Sequence, residues 1–244
     1  MNELLSSPKL VRVRIGSDSP VWPSSAGAQV RCAEQYRIIC TKIFLREDQP
    51  RMLVVSSAGP ADGKTVTSIN IAGALADRNE ADVLLVEADL RRSSIAELLG
   101  LPRTVGLMEV LRGECELQDA LLRIEQYPRL HLLQAGLRSE HASELLGSVR
   151  WLEVCERLRS AFRFTVFDAP PIGFVADYEL IEAVCDGVIA VVRPDHTNRA
   201  AAYRMLDVIP GRKRIGVVLN NVPDWFLWRS HDYYYYGSKR DTSK

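Results

Sequence analysis

One stretch, SSAGPADGKTVTS at residues 56–68, constrains this chain more than any other. Ala58, four further residues and then Gly63-Lys64-Thr65 fit the form [A/G]xxxxGK[ST] of a Walker A loop. The loop sits between a short apolar, β-branched run (52–56, MLVVS) and a segment with helical character (65–77). That placement dictates a chemistry. Backbone N–H groups from Ala61 to Val66 can converge on one concavity, and the start of a helix adds positive potential, so the expected ligand is phosphate. Lys64 supplies a mobile charge for β- and γ-phosphates, and the Thr65 hydroxyl can ligate Mg²⁺. Pro60 has no N–H and shapes the loop without donating. Ala61 stands where glycine would be safest, so backbone strain is expected there if the loop needs positive φ. Gly59, Pro60, Ala61, Asp62, Gly63, Lys64, Thr65 and Val66 form the expected phosphate cradle.

The rest of the chain repeats one alternation. Short apolar runs at 83–87, 130–133, 164–168, 188–192 and 215–220 read as buried strands, and 29–46, 94–99, 105–111, 148–161, 178–184 and 199–208 as helices. Continuous apolar strands alternating with amphipathic helices imply parallel pairing through right-handed crossovers. The expected fold class is therefore α/β, a three-layer sandwich around a mostly parallel central sheet. Residues 1–28, with Ser, Pro and Gly and no apolar period, read as a flexible N-terminal arm. Residues 29–222 read as the domain, and 223–244 as a tyrosine-rich tail.

Composition narrows the function. The chain has 244 residues, 31 Lys+Arg against 31 Asp+Glu, and so no net charge. It lacks the broad positive field that dominates binding to nucleic acid, and no nucleic-acid partner is expected. No apolar run approaches the roughly 20 residues that span a bilayer, and the start has no signal-peptide core, so a cytoplasmic location is expected. Five scattered cysteines without a CxxC pair fit reduced, mostly buried thiols. The four histidines have no ligand spacing. Arg212-Lys213-Arg214 reads as a solvated turn, and Lys9, Arg12 and Arg14 are too few charges to hold an acidic membrane alone.

A phosphate loop needs carboxylates at neighbouring strand ends, and two strands deliver them. VLLVEADLRR ends a strand with Glu87 and Asp89, and FTVFDAPP ends another with Asp168, where Pro170-Pro171 stops the strand. In open α/β sheets, ligands bind in the crevice beyond those ends. With Thr65, these three acids form the expected magnesium shell.

These features together resemble the cytoplasmic bacterial tyrosine kinases, Walker-box kinases of the P-loop NTPase fold that partner the chain-length regulators of capsule and exopolysaccharide export. Glu34-Gln35-Tyr36-Arg37 matches the first part of that family's ExxRxxR helix. Residues 57–65 match its Walker A, 83–92 its second acidic box (hhhDxDxR) and 164–171 its Walker B. Gly106-Leu107-Met108-Glu109-Val110-Leu111-Arg112-Gly113, Gly136 and Glu144-Leu145-Leu146 fall in the family's order, and Tyr233-Tyr234-Tyr235-Tyr236 match its C-terminal tyrosine cluster. The resemblance implies an ATP- and Mg²⁺-dependent autokinase. Lys64, Glu87 and Asp89 are its implied catalytic residues, with Asp89 orienting or deprotonating the acceptor hydroxyl. Asn220 is its implied adenine contact, with a plain strand-end turn equally open, and Tyr233–Tyr236 are the acceptors. Glu34 and Arg37 would support a homo-oligomeric ring in which one subunit's tail enters the next subunit's site. A membrane-embedded chain-length regulator would act as activator, placing the protein at the inner membrane through that partner.

Two positions depart from the pattern. Cys40 stands in place of the last arginine of ExxRxxR, and Glu87 in place of the first aspartate of the second box. A shifted carboxylate can cost on the order of 100-fold in rate. A nucleotide-binding regulatory subunit with little kinase activity is therefore a second reading. The partition and septum-positioning ATPases are a third, but their signature loop lysine is Gly59 here.

Overall fold

The computed structural model describes residues 8–14, 19, 21–22, 29–78, 81–136 and 141–222, so Tyr233–Tyr236 lie outside the described residues. In chain order the elements are β1 (Lys9–Val11), α1 (Gln29–Phe44), β2 (Met52–Ser57), α2 (Lys64–Asp77), β3 (Val83–Glu87), α3 (Ile95–Leu98), α4 (Leu107–Arg112) and α5 (Leu117–Ala120). There follow β4 (Leu121–Ile124), β5 (Leu130–Leu133), α6 (Ala142–Leu146), α7 (Val149–Ala161), β6 (Phe164–Asp168), α8 (Asp177–Val184), β7 (Gly187–Val192), α9 (Arg199–Val208) and β8 (Arg214–Leu219).

The strands form one sheet in the order β1-β4-β5-β3-β6-β2-β7-β8. Six of them, β5 to β8 in that order, run parallel; β4 pairs antiparallel with β5 and parallel with β1. Every residue of β2, β3 and β6 is buried, because helices cover both faces of these strands. Side chains alternate between two cores. Met52 and Val54 point into one core with α4, α7 and α8, and Leu53 and Val55 into the other with α1 and α2. The three-layer α/β sandwich read from the sequence is the fold observed.

The arm is where the reading fails. Lys9–Val11 pairs with Leu122–Ile124 as an edge strand, and Val13 and Val21 are buried. Three residues are too few to display a period; β4 (LLRI), interrupted by the exposed Arg123, is likewise absent from the strands read in the sequence. Trp22 then clamps the phosphate-loop helix. Its indole N–H donates to the Ile69 carbonyl at 3.0 Å, its backbone N–H to Asn70 Oδ1 at 2.5 Å, and its ring lies 4.6 Å from that of Tyr127. The indole approaches so closely that a Cβ on Gly73 would fall 2.2 Å from its nitrogen.

The thiols are free, with Cys40, Cys155 and Cys185 buried, Cys115 half-buried and Cys32 exposed. Two of the basic positions are held in ion pairs: Arg12 with Glu125 at 2.7 Å, and Lys213 with Glu182 at 2.7 Å. Among the described residues no helix is long and apolar enough to cross a membrane.

Candidate active site

The register sets the site. Val55 of β2 and Glu87 of β3 both pair with Asp168 of β6, so the phosphate loop and both acidic strand ends emerge at one edge of the sheet. The loop turns into α2 at Gly63, the N-cap, whose φ is +94° and which offers no side chain to the first-turn N–H groups. Those groups stay available to an anion. Ala61 has φ +63°, which is the strain expected of a non-glycine residue there.

The loop holds itself in shape. The Asp62 carboxylate is buried and accepts from Gly59 N–H at 2.9 Å, from Thr197 Oγ1 at 2.7 Å and, at 3.0 Å, from the ring nitrogen Nδ1 of His196. Gly59 therefore spends its N–H inside the loop and shapes the cradle without donating to a phosphate. Asn220, beyond β8, donates from Nδ2 to the Asp62 carbonyl at 2.9 Å. It packs so tightly on the loop that a Cβ at Gly63 would lie 1.9 Å from that nitrogen. Its side chain buttresses the phosphate loop. The His196–Thr197 latch was missed in the sequence because nothing there connects it with a loop 134 residues earlier.

Lys64, Asp89 and Asp168 come together as expected. The Lys64 ammonium is 2.8 Å from Asp89 Oδ2 and 3.8 Å from Asp168 Oδ1, and all three side chains are nearly enclosed. Burial pulls the lysine pKa down, but Asp168 and Asp89 outweigh it and hold the ammonium above its ordinary value. Burial also pushes the Asp168 carboxyl up to about 6, with Asp89 and Glu87 adding to the rise and Lys64 opposing it. Ser68 Oγ donates to Asp168 at 3.3 Å, and the Asp89 carboxylate also accepts from Arg92 N–H at 3.1 Å.

Glu87 is placed differently from the expectation. Its Oε1 accepts from Ser94 N–H at 2.5 Å and Ile95 N–H at 2.7 Å, and its Oε2 from Ala135 N–H at 3.0 Å. The extra methylene reaches the start of α3, where the carboxylate satisfies orphan donors. Both oxygens are engaged, and the geometry gives Glu87 a structural role rather than a metal-binding or catalytic one.

The acids that remain suit a magnesium ion. Among the described residues no group of three or more His, Cys, Asp or Glu could cage a metal. Mg²⁺, however, is ordinarily held by one or two carboxylates together with a nucleotide's phosphates. Asp89 and Asp168 against one lysine leave negative charge over, and a cation there would relieve the raised Asp168. A cleft of ≈ 590 Å³ opens above this cluster, lined by Lys64, Thr65, Asp89, Arg92, Pro171 and Phe174 among others.

On the outer helix, Arg37 pairs with Glu34 at 3.1 Å, both more than half exposed. Cys40 points the other way, buried with Sγ 3.6 Å from the Ile71 carbonyl of α2, and burial pushes its thiol up to about 12. The third motif position thus packs inward.

The chain is 32% identical over 195 residues to the tyrosine-protein kinase CpsD of Streptococcus pneumoniae serotype 4, covering 79% of this chain and 85% of CpsD. It belongs to the bacterial tyrosine-protein kinases. The tyrosine-protein kinase YwqD of Bacillus subtilis is 31% identical over 211 residues, covering 85% of this chain and 87% of YwqD. Among solved structures, the chimerical protein CapA2B2 superposes on this kinase with a TM-score of 0.77 at 26% identity, covering 88% of this chain and 95% of that one. The septum site-determining protein MinD of Pyrococcus horikoshii, complexed with Mg-ADP, reaches 0.59 at 23% identity over 69% of both chains, which is a likeness of fold. No protein-family model matches the chain.

Proposed function

We propose that this kinase transfers the γ-phosphoryl group of ATP to tyrosine hydroxyls, its own Tyr233–Tyr236 first, within the machinery that polymerises and exports a capsule or exopolysaccharide. The observation that carries the reading is the meeting of Lys64, Asp89 and Asp168 at the mouth of the phosphate loop.

The loop N–H groups and α2 would bind the phosphates, and Lys64 would exchange Asp89 for the β/γ-phosphate oxygens. Bound through Thr65 and Asp168, with Asp89 beside them, Mg²⁺ would neutralise charge on those oxygens. The acceptor phenol oxygen attacks the γ-phosphorus, the bond to the β-phosphate oxygen breaks, ADP leaves, and the phenol proton passes to Asp89. A phenol of pKa near 10 needs only modest help from a base, so positioning and charge stabilisation supply most of the rate. Burial of all three side chains strengthens these interactions by excluding water.

The tail can reach. Asn220 lies against the loop, and the 13 residues from there to Tyr233 span up to about 45 Å when extended. That suffices for the chain's own site or that of a neighbour packed through the exposed Glu34–Arg37 face of α1. Each phosphate adds roughly two negative charges, which would loosen such an assembly. In this reading the protein works in the cytoplasm, at the inner membrane through a membrane-embedded chain-length regulator.

The test is incubation with labelled ATP and Mg²⁺, followed by mapping of the label. Label on Tyr233–Tyr236 that is lost in Lys64→Ala supports the proposal; ATP binding without labelled tyrosine contradicts it.

A further inference from the structure

The cleft above Lys64 and Asp89 is larger than the phosphate cradle, and its far side has a distinct chemistry. Beyond β6 the chain runs Pro170, Pro171, Ile172, Gly173, Phe174, Val175, of which Pro170, Pro171, Phe174 and Val175 line the cleft. This wall is anchored on both sides of Phe174. Ile172 is buried and its N–H donates to the Ser57 carbonyl at 2.9 Å. Asp177 is buried and accepts from Arg91 Nε at 2.8 Å and from Ser143 Oγ. Phe174 is nonetheless 63% exposed, an aromatic ring held out over a cleft between two fixed points. With Pro170, Pro171 and Val175 it makes one contiguous apolar wall to the cleft, and a contiguous apolar patch of that kind is a binding surface.

The opposite rim supplies a cation. Arg92 is exposed and lines the same cleft; its backbone N–H is tied to Asp89, while its guanidinium makes no hydrogen bond or ion pair within the described residues. Both features stand on the β3/β6 side of the phosphate loop. Asn220, His196 and Thr197 close on the loop from the β7/β8 side. The two flanks of the loop thus differ in kind, one polar and closed, the other apolar, open and beside the proposed base.

We propose that Phe174 and Arg92 form the subsite for the acceptor, a deepening that rests on the tyrosine-transfer reading above. Phe174 stacks against the acceptor's phenol ring while its hydroxyl reaches Asp89, and Arg92 pairs with an acidic residue just before the tyrosine. The occupant is the C-terminal segment of this chain, residues 229–237. Asp232 directly precedes Tyr233, and it supplies the complementary charge. Offset or edge-to-face ring contact gives the site a preference for aromatic acceptors over serine or threonine.

The experiment uses the full chain carrying Tyr233→Ser, Tyr234→Ser, Tyr235→Ser and Tyr236→Ser, so that its own tail does not compete. With Mg²⁺ and a non-hydrolysable ATP analogue present, a fluorescent peptide of residues 229–237 is titrated and its anisotropy followed. Phe174→Ala is expected to weaken the peptide about tenfold, and Phe174→Tyr to restore it. The peptide with Asp232→Asn is expected to bind about threefold less tightly to the Arg92-containing chain and to lose nothing further on Arg92→Ala. Analogue affinity, measured alongside, stays with the parent value in all variants. The proposal is overturned if the parent does not bind the peptide, if Phe174→Ala binds it equally well, or if Phe174→Ala weakens the analogue instead. Peptide binding that depends on Phe174, with no phosphoryl transfer by the unmodified chain, supports the subsite and refutes the reaction.

Discussion

Replacing Gly63 by alanine isolates the way β8 braces the phosphate loop. Gly63 has φ +94°, where an L side chain costs roughly 1–2 kcal/mol of backbone energy. The added Cβ would also fall 1.9 Å from Asn220 Nδ2, so Asn220 must move and its 2.9 Å bond to the Asp62 carbonyl breaks. A hydrogen bond of that type is worth about 1 kcal/mol net. Gly63→Ala should therefore cost roughly 2–3 kcal/mol, the sum of those two contributions. Asn220→Ala alone should cost about 1 kcal/mol. Because both substitutions destroy the same contact, the double variant should be no less stable than Gly63→Ala alone. Urea denaturation of the four proteins measures the cycle. Additive losses would mean that Asn220 does not seat on Gly63, and the account of the loop's bracing would be wrong.

Further outcomes follow from other contacts. Glu87→Gln leaves at most one good acceptor for three backbone N–H groups and should lower stability by about 2 kcal/mol or more, with ATP affinity at low temperature little changed; a large loss of affinity at full stability would return Glu87 to the metal site. Gly73→Ala, favourable in an isolated helix, should destabilise this chain because the new Cβ displaces Trp22, and a higher melting temperature would contradict that packing. Asp168 is raised from 3.8 to about 6 mainly by burial, so the folded chain binds its proton more tightly than the unfolded one. Its stabilising contribution is complete below about 4 and is lost as pH rises through about 6. Asp168→Asn should accordingly gain stability relative to the parent across that window in nucleotide-free protein, and parallel stability-versus-pH curves would refute the shift.

What the sequence disclosed and what it hid divide along physical lines. The strands β2, β3, β6 and β7 are visible because strands buried on both faces read as nearly continuous apolar runs, and the phosphate loop because its chemistry is local. Asp89 and Asp168 could be placed together because parallel strands deliver their carboxyl ends to one edge. The strap at Trp22 and the edge strand Lys9–Val11 were hidden, since their partners lie far along the chain and three residues carry no period. Glu87 misled for a related reason. Its motif position suggests a ligand, whereas its oxygens are claimed by backbone groups of Ser94, Ile95 and Ala135, which no motif contains. At Cys40 an inward-facing position on α1 took a small apolar side chain, which spacing alone could not reveal.

The most direct test of the central claim is a single-turnover measurement of phosphoryl transfer from labelled ATP to the tail in Asp89→Asn, with ATP affinity determined in the same preparation. Removing the carboxylate frees Lys64 from a competitor 2.8 Å away, so ATP should bind at least as tightly as in the parent. Loss of the base and positioning group should slow transfer about 100-fold or more. Transfer at the parental rate, or slower transfer explained wholly by lost ATP affinity, would contradict the assignment of Asp89 and the reaction built on it.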